Sequence, residues 1–225
     1  MSRYLIEVKK IKKNFNHKNG LVEIFKNVSL GVKAGDLVAL VGPSGSGKST
    51  FLHLLSFLDK PTSGQILFLG KESKNFNDDE KDEIRRRKIS IIFQDNNLLS
   101  DFTTIENVMM PLMIRGEDYK SSLIKAKNVL RDVHLSERKN HFPSELSGGE
   151  QQRVAIARAL AIKPKIILAD EPTGNLDKNN SIAVRKLFKE IANDATIIIA
   201  THDNDYLEIA DKAYELNEGK LDEIK

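Results

Sequence analysis

Residues 36–50 read DLVALVGPSGSGKST, and the fold class follows from this stretch. Five apolar residues, 37–41, predict a buried strand, and the next eight fit the phosphate-loop pattern G-x-x-x-x-G-K-[ST]. Residues 48–58 then have the apolar spacing of a helix. A strand, a glycine-rich loop and a helix in this order predict a nucleotide site at the end of a buried strand.

The phosphate loop, residues 42–49, has residue types suited to a triphosphate. Its glycines allow the backbone to curl so that its N–H groups point at the β-phosphate. Lys48 is expected to reach the β- and γ-phosphates, and the hydroxyl of Ser49 is expected to bind Mg²⁺. The predicted nucleotide-binding residues of this segment are Gly42, Pro43, Ser44, Gly45, Ser46, Gly47, Lys48, Ser49 and Thr50.

Three further apolar runs predict buried parallel strands, because helical stretches separate them. They are ISIIF at 89–93, KIILAD at 165–170 and ATIIIAT at 195–201. Strands that alternate with helices predict an α/β fold with a mostly parallel sheet.

Two other segments, one before strand 37–41 and one between the runs at 89–93 and 165–170, differ from this pattern. Alternating residues at 4–8 and 22–30, with the turn signal Asn19–Gly20 between them, predict an antiparallel edge that leads into strand 37–41. The strand pattern disappears between Gln94 and Ser147, where 104–114 and 121–133 have helical spacing. We therefore expect a helical subdomain inserted into the sheet core.

Composition excludes several classes of protein. The 225 residues include no cysteine, which rules out disulfides, thiol catalysis and cysteine zinc sites. No apolar run approaches the ~18 residues of a membrane span, and the start lacks a signal-peptide pattern, so we expect an ordinary soluble protein. A net charge of +3 is weak support for a nucleic-acid partner. The basic run at 85–88 ends an acidic stretch, and it is either a solvated helix end or a nucleic-acid patch.

Two adjacent acids, Asp170 and Glu171, follow an apolar strand. Burying two carboxylates there is costly unless a cation or a proton compensates them. Because neighbours along a strand point to opposite faces, the two are expected to act differently. Asp170 is predicted to bind Mg²⁺ either directly or through the groups that coordinate it, and Glu171 to orient or deprotonate the attacking water. The alternative for Glu171 is a cap on the turn before Pro172.

Gln94 and His202 each follow a predicted strand, so both should emerge at the carboxyl edge of the sheet, where open α/β folds bind ligands. Alone, each would more often be a strand-end cap. Beside the phosphate loop and the paired acids, His202 is predicted to contact the γ-phosphate or water. Gln94 is predicted to sense Mg²⁺ or water.

A second glycine turn, residues 146–150, reads LSGGE and opens a predicted helix. Ser147 and Glu150 have the spacing of a capping box, in which each side chain bonds the other residue's backbone N–H. A helix that begins in this way presents free N–H groups and about half a positive charge. Gly148 and Gly149 therefore belong to a second predicted anion site.

The phosphate loop, Gln94, LSGGE, IILADEP, GNLD and His202 occur in an order that resembles the ATP-binding subunits of ABC transporters. The resemblance covers essentially the whole chain. It implies a P-loop NTPase (RecA-like) core, residues 1–94 and 150–225, with an N-terminal antiparallel β subdomain and an inserted helical subdomain at about 95–149. All of these lie within one nucleotide-binding domain, 1–225. It also implies ATP and Mg²⁺ as cofactors.

In that family, two copies face each other head to tail. Each copy's second glycine turn, here Ser147, Gly148, Gly149 and Glu150, binds the γ-phosphate of the ATP held by the other copy's phosphate loop. The resemblance further implies that Asp177 lies at the dimer seam, near the nucleotide. Phe15 either stacks on adenine, as the resemblance implies, or packs at a strand end.

One residue departs from the family's commonest pattern, because Glu150 replaces the usual Gln. A negative charge on the triphosphate would weaken binding. The side chain is therefore expected to face Ser147 in the capping box, where Glu and Gln are equivalent.

Longer phrases resemble a narrower group, the ATPases of lipoprotein-releasing systems; they stand at 51–64, 98–114, 143–160 and 169–177. This implies an enzyme at the cytoplasmic face of the inner membrane, held there peripherally by integral permease subunits of the LolC/LolE type. The permease would dock on the helical region, although these residues could equally be subdomain core: Phe102, Met109, Met110, Leu112 and Met113.

Two related types remain as alternatives, a macrolide- or peptide-exporter ATPase and a cell-division-type (FtsE-like) regulatory ATPase that transports nothing. A DNA-repair or translation factor would need a long coiled-coil insertion or a second cassette in tandem, and this sequence has neither.

Overall fold

The computed structural model describes residues 3–17, 20–192 and 194–225, so Asn19 of the predicted turn lies outside the described residues. The strands are β1 (Ile6–His17), β2 (Gly20–Val32), β3 (Leu37–Val41), β4 (Ser63–Phe68), β5 (Lys71–Glu72), β6 (Ile89–Ile92), β7 (Ile166–Asp170), β8 (Thr196–Thr201), β9 (Lys212–Asn217) and β10 (Lys220–Glu223). The helices are α1 (Lys48–Leu55), α2 (Asp78–Arg87), α3 (Thr104–Ile114), α4 (Tyr119–Asp132), α5 (Gly148–Ala161), α6 (Lys178–Ile191) and α7 (Tyr206–Ile209).

A six-stranded sheet in the order β10-β9-β3-β8-β7-β6 forms the centre of the molecule. All the neighbouring pairs from β9 to β6 are parallel, and every residue of β3 and β8 is buried. The strands predicted from the apolar runs are therefore confirmed, as is the α/β class. Their shared direction brings the carboxyl ends of β3, β6, β7 and β8 to one edge.

The N-terminal strands form a separate antiparallel sheet, in the order β2-β1-β4-β5. This confirms the expected N-terminal antiparallel β subdomain, which is a sheet of its own and not an edge of the central sheet. Because β3 is already paired on both sides, with β8 and β9, it has no free edge for β2. A buried cluster around Phe25 and Phe51 packs this sheet onto α1 and the central sheet.

Helices α3 and α4 pack on α5 and bury one contiguous apolar cluster with it. Met109 and Leu112, two residues considered for permease docking, are 1% and 0% exposed and belong to this core. Met110 is half-buried, whereas Phe102 and Met113 are exposed. In the described ranges, no helix combines the length and the apolar character that a membrane span requires.

Two helices near the first sheet differ in how well the sequence predicted them. Helix α1 ends at Leu55 rather than at residue 58, because Phe57 turns left-handed (φ 61°) and packs edge-on against Phe68. Helix α2 has its acidic residues in the first turn and its arginines in the last. Arg86 pairs with Glu83 at 3.2 Å, and this pairing favours the solvated helix end over a nucleic-acid patch.

The segment that joins Gln94 to α3 has no regular secondary structure, and two buried or half-buried side chains hold it. The amide of Asn107, which is 0% exposed, donates to the carbonyls of Leu99, Phe102 and Thr103 and accepts from the N–H of Leu99. The guanidinium of Arg158, on α5, donates to the carbonyls of residues 96 and 97 at 2.7 and 2.6 Å. The path of this loop is therefore fixed from α3 and from α5.

We expect Asn107→Ala to lower the free energy of unfolding by about 2–4 kcal/mol, because it leaves several backbone groups without their partner. Urea denaturation of the full chain measures the change. Asn128→Ala, at an exposed position of α4, is the matched control and should stay within about 0.5 kcal/mol of the unmodified chain. A loss no larger than the control's would contradict the role assigned to Asn107.

Candidate active site

The phosphate loop connects β3 to α1 and is largely open to solvent at residues 43–45. Gly47 stands directly before α1 with φ 101°, a left-handed conformation that favours glycine. A Cβ at Gly47 would lie 2.7 Å from the side chain of Ile24, so β2 closes over the loop. The local sequence thus leaves the loop's outer face free while its inner face is packed.

Phe15 lies on β1 opposite Val22, on the same hairpin that covers the loop through Ile24. Its side chain is 44% exposed, and the ammonium of Lys13 lies 4.6 Å from its ring centroid. The exposed ring does not support the alternative of strand-end packing.

Lys48 has a nearly buried side chain, 6% exposed, in the first turn of α1. Its ammonium donates to the carbonyls of Gly42 at 2.8 Å and Pro43 at 3.2 Å. It also lies 3.5 Å from a carboxylate oxygen of Glu171. The phosphate loop is thereby tied to the end of β7.

Glu171 lies just beyond β7, with φ 44°, and its N–H donates to the carbonyl of Ala200 at 2.7 Å. The two acids therefore diverge because the strand ends between them, and not by strand alternation alone. The carbonyl of Glu171 accepts from the N–H of Gly174, so its backbone does begin a turn, as the capping alternative required. Its side chain does not cap that turn, because it faces Lys48.

The carboxylate of Glu171 also binds the loop after β8. One oxygen lies 2.9 Å from Nδ1 of His202 and accepts from the hydroxyl of Thr201 at 3.1 Å and the N–H of His202 at 3.3 Å. Glu171 is 12% exposed and the imidazole 66% exposed. The structure thus holds the carboxylate of Glu171 inside the site and the imidazole of His202 at its opening.

Asp170 faces Ser49 and is the less satisfied of the two acids. Burial raises the pKa of Asp170, and the negative charge of Glu171 raises it further, while the nearby Ser49 hydroxyl opposes both. Among the residues that the structure describes, none gives the buried Oδ1 of Asp170 a hydrogen bond. An unpartnered carboxylate oxygen beside a hydroxyl fits a hard cation such as Mg²⁺.

Gln94 reaches the same edge of the sheet from β6. It lines a cavity of about 380 Å³ that also includes Gly148, Gln152 and Glu171. The buried Nε2 of Gln152 has no hydrogen-bond partner within the described ranges. The structure brings Gln94 close to Glu171 and to the second glycine turn.

The second glycine turn begins α5 with the capping box that the sequence predicted. Glu150 accepts from the N–H of Ser147 at 2.9 Å, and its own N–H donates to the Ser147 hydroxyl at 3.3 Å. The other oxygen of Glu150 accepts from Arg138 at 2.8 Å. The backbone N–H of Ser147 and, after it, Arg138 lower the pKa of Glu150 to about 2. The carboxylate of Glu150 is therefore ionised, and the guanidinium of Arg138 compensates its negative charge. It faces the start of its own helix.

The two glycines of this turn have different surroundings. A Cβ at Gly149 would lie 2.2 Å from Oδ1 of Asn180, so the packing of α6 excludes a side chain there. A Cβ at Gly148 would meet only a side-chain atom of Leu176, at 3.6 Å. Packing within the chain therefore does not require glycine at position 148. Because Gly148 has no side chain, the backbone N–H groups at the start of α5 stay accessible.

Asp177 is the N-cap of α6, and its carboxylate accepts from the N–H groups of Asn179 and Asn180 at 3.0 Å each. These backbone donors, with the Asn180 side chain, lower the pKa of Asp177. Asp177 is exposed, which is compatible with a position at an interface. Its carboxylate oxygens accept hydrogen bonds from the N–H groups at the start of α6.

Three arginines near the site were missed by sequence reasoning: Arg138, Arg158 and Arg185. Each bonds a group far along the chain, so no local pattern signals it. For Arg138 one clue was available, because a glutamate at position 150 needs a compensating cation.

We expect Glu150→Gln to leave ATPase activity within about threefold of the unmodified chain, because the amide oxygen can replace the carboxylate in the capping box. The lost pairing with the half-exposed Arg138 should cost about 1 kcal/mol of stability or less. Steady-state phosphate release and urea denaturation measure the two effects. An activity loss of about tenfold or more would contradict the capping assignment.

The sequence matches a family described as ABC transporter over residues 25–174. The lipoprotein-releasing system ATP-binding protein LolD of Rickettsia bellii (strain RML369-C) is 42% identical over 223 residues, which are 98% of this chain and 99% of that protein. LolD of Legionella pneumophila (strain Paris) is 43% identical over 224 residues, 98% of each chain.

Two solved structures have the same fold. One is the ATP-binding cassette MJ0796, in a dimeric post-hydrolysis state bound to ADP and Pi, with a TM-score of 0.88, 36% identity, and coverage of 98% of this chain and 99% of that chain. The other is cbiO1 from Clostridium perfringens, part of the ABC transporter complex cbiONQ, with a TM-score of 0.87, 30% identity, and coverage of 98% and 87%. These likenesses confirm the predicted P-loop NTPase fold class. The chain belongs to the ABC transporter family and is one of its ATP-hydrolysing subunits.

Proposed function

We propose that the chain powers a lipoprotein-releasing ABC transporter, by binding and hydrolysing ATP as a head-to-tail homodimer. The observation that carries the proposal is the placement of the Glu171 carboxylate, 3.5 Å from Lys48 and 2.9 Å from His202. A general base thereby lies between the group that would hold the phosphates and an exposed imidazole.

The binding half of the site consists of the phosphate loop and its neighbours. N–H groups of residues 42–49, with Thr50, would cradle the triphosphate, and Lys48 would transfer from the loop carbonyls to phosphate oxygens. Ser49, Gln94 and Asp170 would hold Mg²⁺, which when bound supplies charge neutralisation at the β- and γ-phosphate oxygens. Phe15 would stack on the adenine from the hairpin above the loop.

The chemical step requires a water in line with the γ-phosphate. Glu171 would orient this water and accept its proton, and His202 would contact the γ-phosphate or the same water. General-base catalysis of this kind contributes typically ~10²- to 10⁴-fold in rate. Because Thr201 and His202 already hold the carboxylate of Glu171, it needs little reorganisation before it accepts the proton of the attacking water.

The second glycine turn would act on the nucleotide of a second copy. The exposed Ser147 and Gly148 present the helix start outwards, and Glu150 is neutralised by Arg138, so the turn offers N–H donors without a facing negative charge. Asp177 would lie at the seam between the copies. The dimeric MJ0796 cassette, 36% identical to this chain, supports this arrangement.

The partners and location follow from the relatives. Both LolD proteins named above are ATP-binding proteins of lipoprotein-releasing systems and match this chain over nearly its whole length. The chain would therefore be held at the cytoplasmic face of the inner membrane by LolC/LolE-like permease subunits. The exposed Phe102 and Met113 of the helical region, about 95–149, are available for this contact.

We expect Glu171→Gln to slow ATP hydrolysis by at least ~100-fold while ATP still binds, because the amide cannot accept the water's proton. The nucleotide-bound dimer should then accumulate. Size-exclusion chromatography with light scattering, with and without Mg²⁺-ATP, measures the dimer, and phosphate release measures the rate.

Glu208→Gln is the matched control, at an exposed glutamate of α7. It should hydrolyse ATP at the unmodified rate. Lys48→Ala should weaken ATP binding and leave the protein monomeric at the same ATP concentration. A Glu171→Gln variant that stays monomeric with saturating ATP would argue against the homodimer.

We expect proteoliposomes that contain this chain, the LolC/LolE-like permease of the same organism and a membrane-anchored lipoprotein to release the lipoprotein when Mg²⁺-ATP is added. Release should require hydrolysis, so the Glu171→Gln variant should release none above the no-ATP background. Stable assembly with an exporter-type or cell-division-type permease instead, without lipoprotein release, would contradict this cargo.

A further inference from the structure

The turn that follows His202 is fixed to α6 by one arginine. The guanidinium of Arg185 lies 2.8 Å from the carboxylate of Asp203 through one terminal nitrogen and 2.8 Å from that of Asp205 through the other. The arginine side chain is 14% exposed. A forked guanidinium that bridges two carboxylates holds their relative positions as well as their charge.

This turn is joined directly to the catalytic carboxylate. The N–H of Asp203 donates to the Thr201 hydroxyl at 3.0 Å, and that hydroxyl donates to Glu171 at 3.1 Å. The N–H of His202, between them, donates to the same oxygen of Glu171. Any shift of Asp203 therefore changes the backbone that carries the imidazole.

Little else positions the imidazole of His202. Its side chain is 66% exposed, so it is not packed, and its place depends on the backbone and on the contact with Glu171. Without the guanidinium, the carboxylates of Asp203 and Asp205 would stand unneutralised on the turn beside Glu171. Repulsion between like charges would then move the turn away from the site.

We propose that Arg185 is a positioning residue for His202, acting through Asp203 and Asp205. The inference rests on the proposed role of His202 in hydrolysis. Within the described part of the chain, the guanidinium of Arg185 pairs with Asp203 and Asp205, and neither the phosphate loop nor the second glycine turn takes part in this bridge. Its loss should therefore lower kcat and leave ATP binding unchanged.

The test is steady-state ATP hydrolysis by the full chain with Mg²⁺-ATP. Arg185→Met keeps the length of the side chain and removes its charge, and we expect kcat to fall about tenfold with KM within about twofold. Lys186→Met, at the next and exposed position of α6, is the matched control and should leave both constants unchanged. Arg185→Lys should recover part of the loss, because one ammonium cannot reproduce the fork.

The decisive measurement combines Arg185→Met with His202→Ala. If Arg185 acts through His202, the double variant should turn over within about twofold of His202→Ala alone. A second loss of about tenfold in the double variant, or an Arg185→Met variant that behaves like the Lys186→Met control, would overturn the proposal. His202→Ala with the unmodified rate would instead contradict the proposed role of His202, so the two failures are distinguishable.

Thermal denaturation separates this effect from loss of the fold. If Arg185→Met does not fold, Asp205→Asn takes its place in the same experiment. This substitution, at an exposed residue, removes one of the two carboxylates that Arg185 bridges. It should lower kcat about threefold, and it should add no loss to His202→Ala. If Asp205→Asn lowers kcat by the same factor in the unmodified chain and in the His202→Ala variant, the proposal is overturned.

Discussion

The contact between the buried ammonium of Lys48 and the carboxylate of Glu171 is the interaction on which the site depends. Two acids at the end of an apolar strand are costly to bury, and this cation, with the donors of the β8 loop, compensates one of them. The contact exists because β3, β7 and β8 run in parallel and in register, with Val41 beside Thr201 and Asp170 beside Ala200. A shift of one residue in either pairing would move these side chains to the opposite face of the sheet.

Helices α5 and α6 each connect a capped helix start to a loop near Lys48 and Glu171, and each does so through an arginine. Helix α5 begins at the second glycine turn and, through Arg158, holds the loop after Gln94. Helix α6 begins at Asp177 and, through Arg185, holds the turn after His202. Each helix has 14 residues and so spans about 21 Å. Each helix therefore connects its capped start to a loop at the carboxyl edge of the central sheet.

Local sequence was sufficient where the structure is determined by neighbours in the chain. The phosphate loop, the strand before it and the capping box of Ser147 and Glu150 each depend on residues a few positions apart, and each was predicted with its bounds. The antiparallel first sheet was predicted from its first two strands, but β4 and β5 were not, because β4 pairs with β1 across about fifty to sixty residues and has no local signal for its partner. Arg138 and Arg185 escaped prediction for the same reason, since a surface arginine pattern does not identify the carboxylate it will meet. The left-handed Glu171 depends on the carbonyl of Ala200, on another strand.

The two predicted phosphate-binding features, the phosphate loop and the second glycine turn, can act on one nucleotide of the same chain only if they face the same space. Of the described residues of the loop, none lines the cavity that Gly148 shares with Glu171 and Gln94. Gly148 and Ser147 are exposed, and packing does not explain the glycine at 148. In the proposed homodimer, a two-fold axis would pair the loop of each copy with the turn of the other, so that both features would act. Such an interface would close after two copies, so the proposed dimer would contain two whole sites, each made of one half-site from either copy.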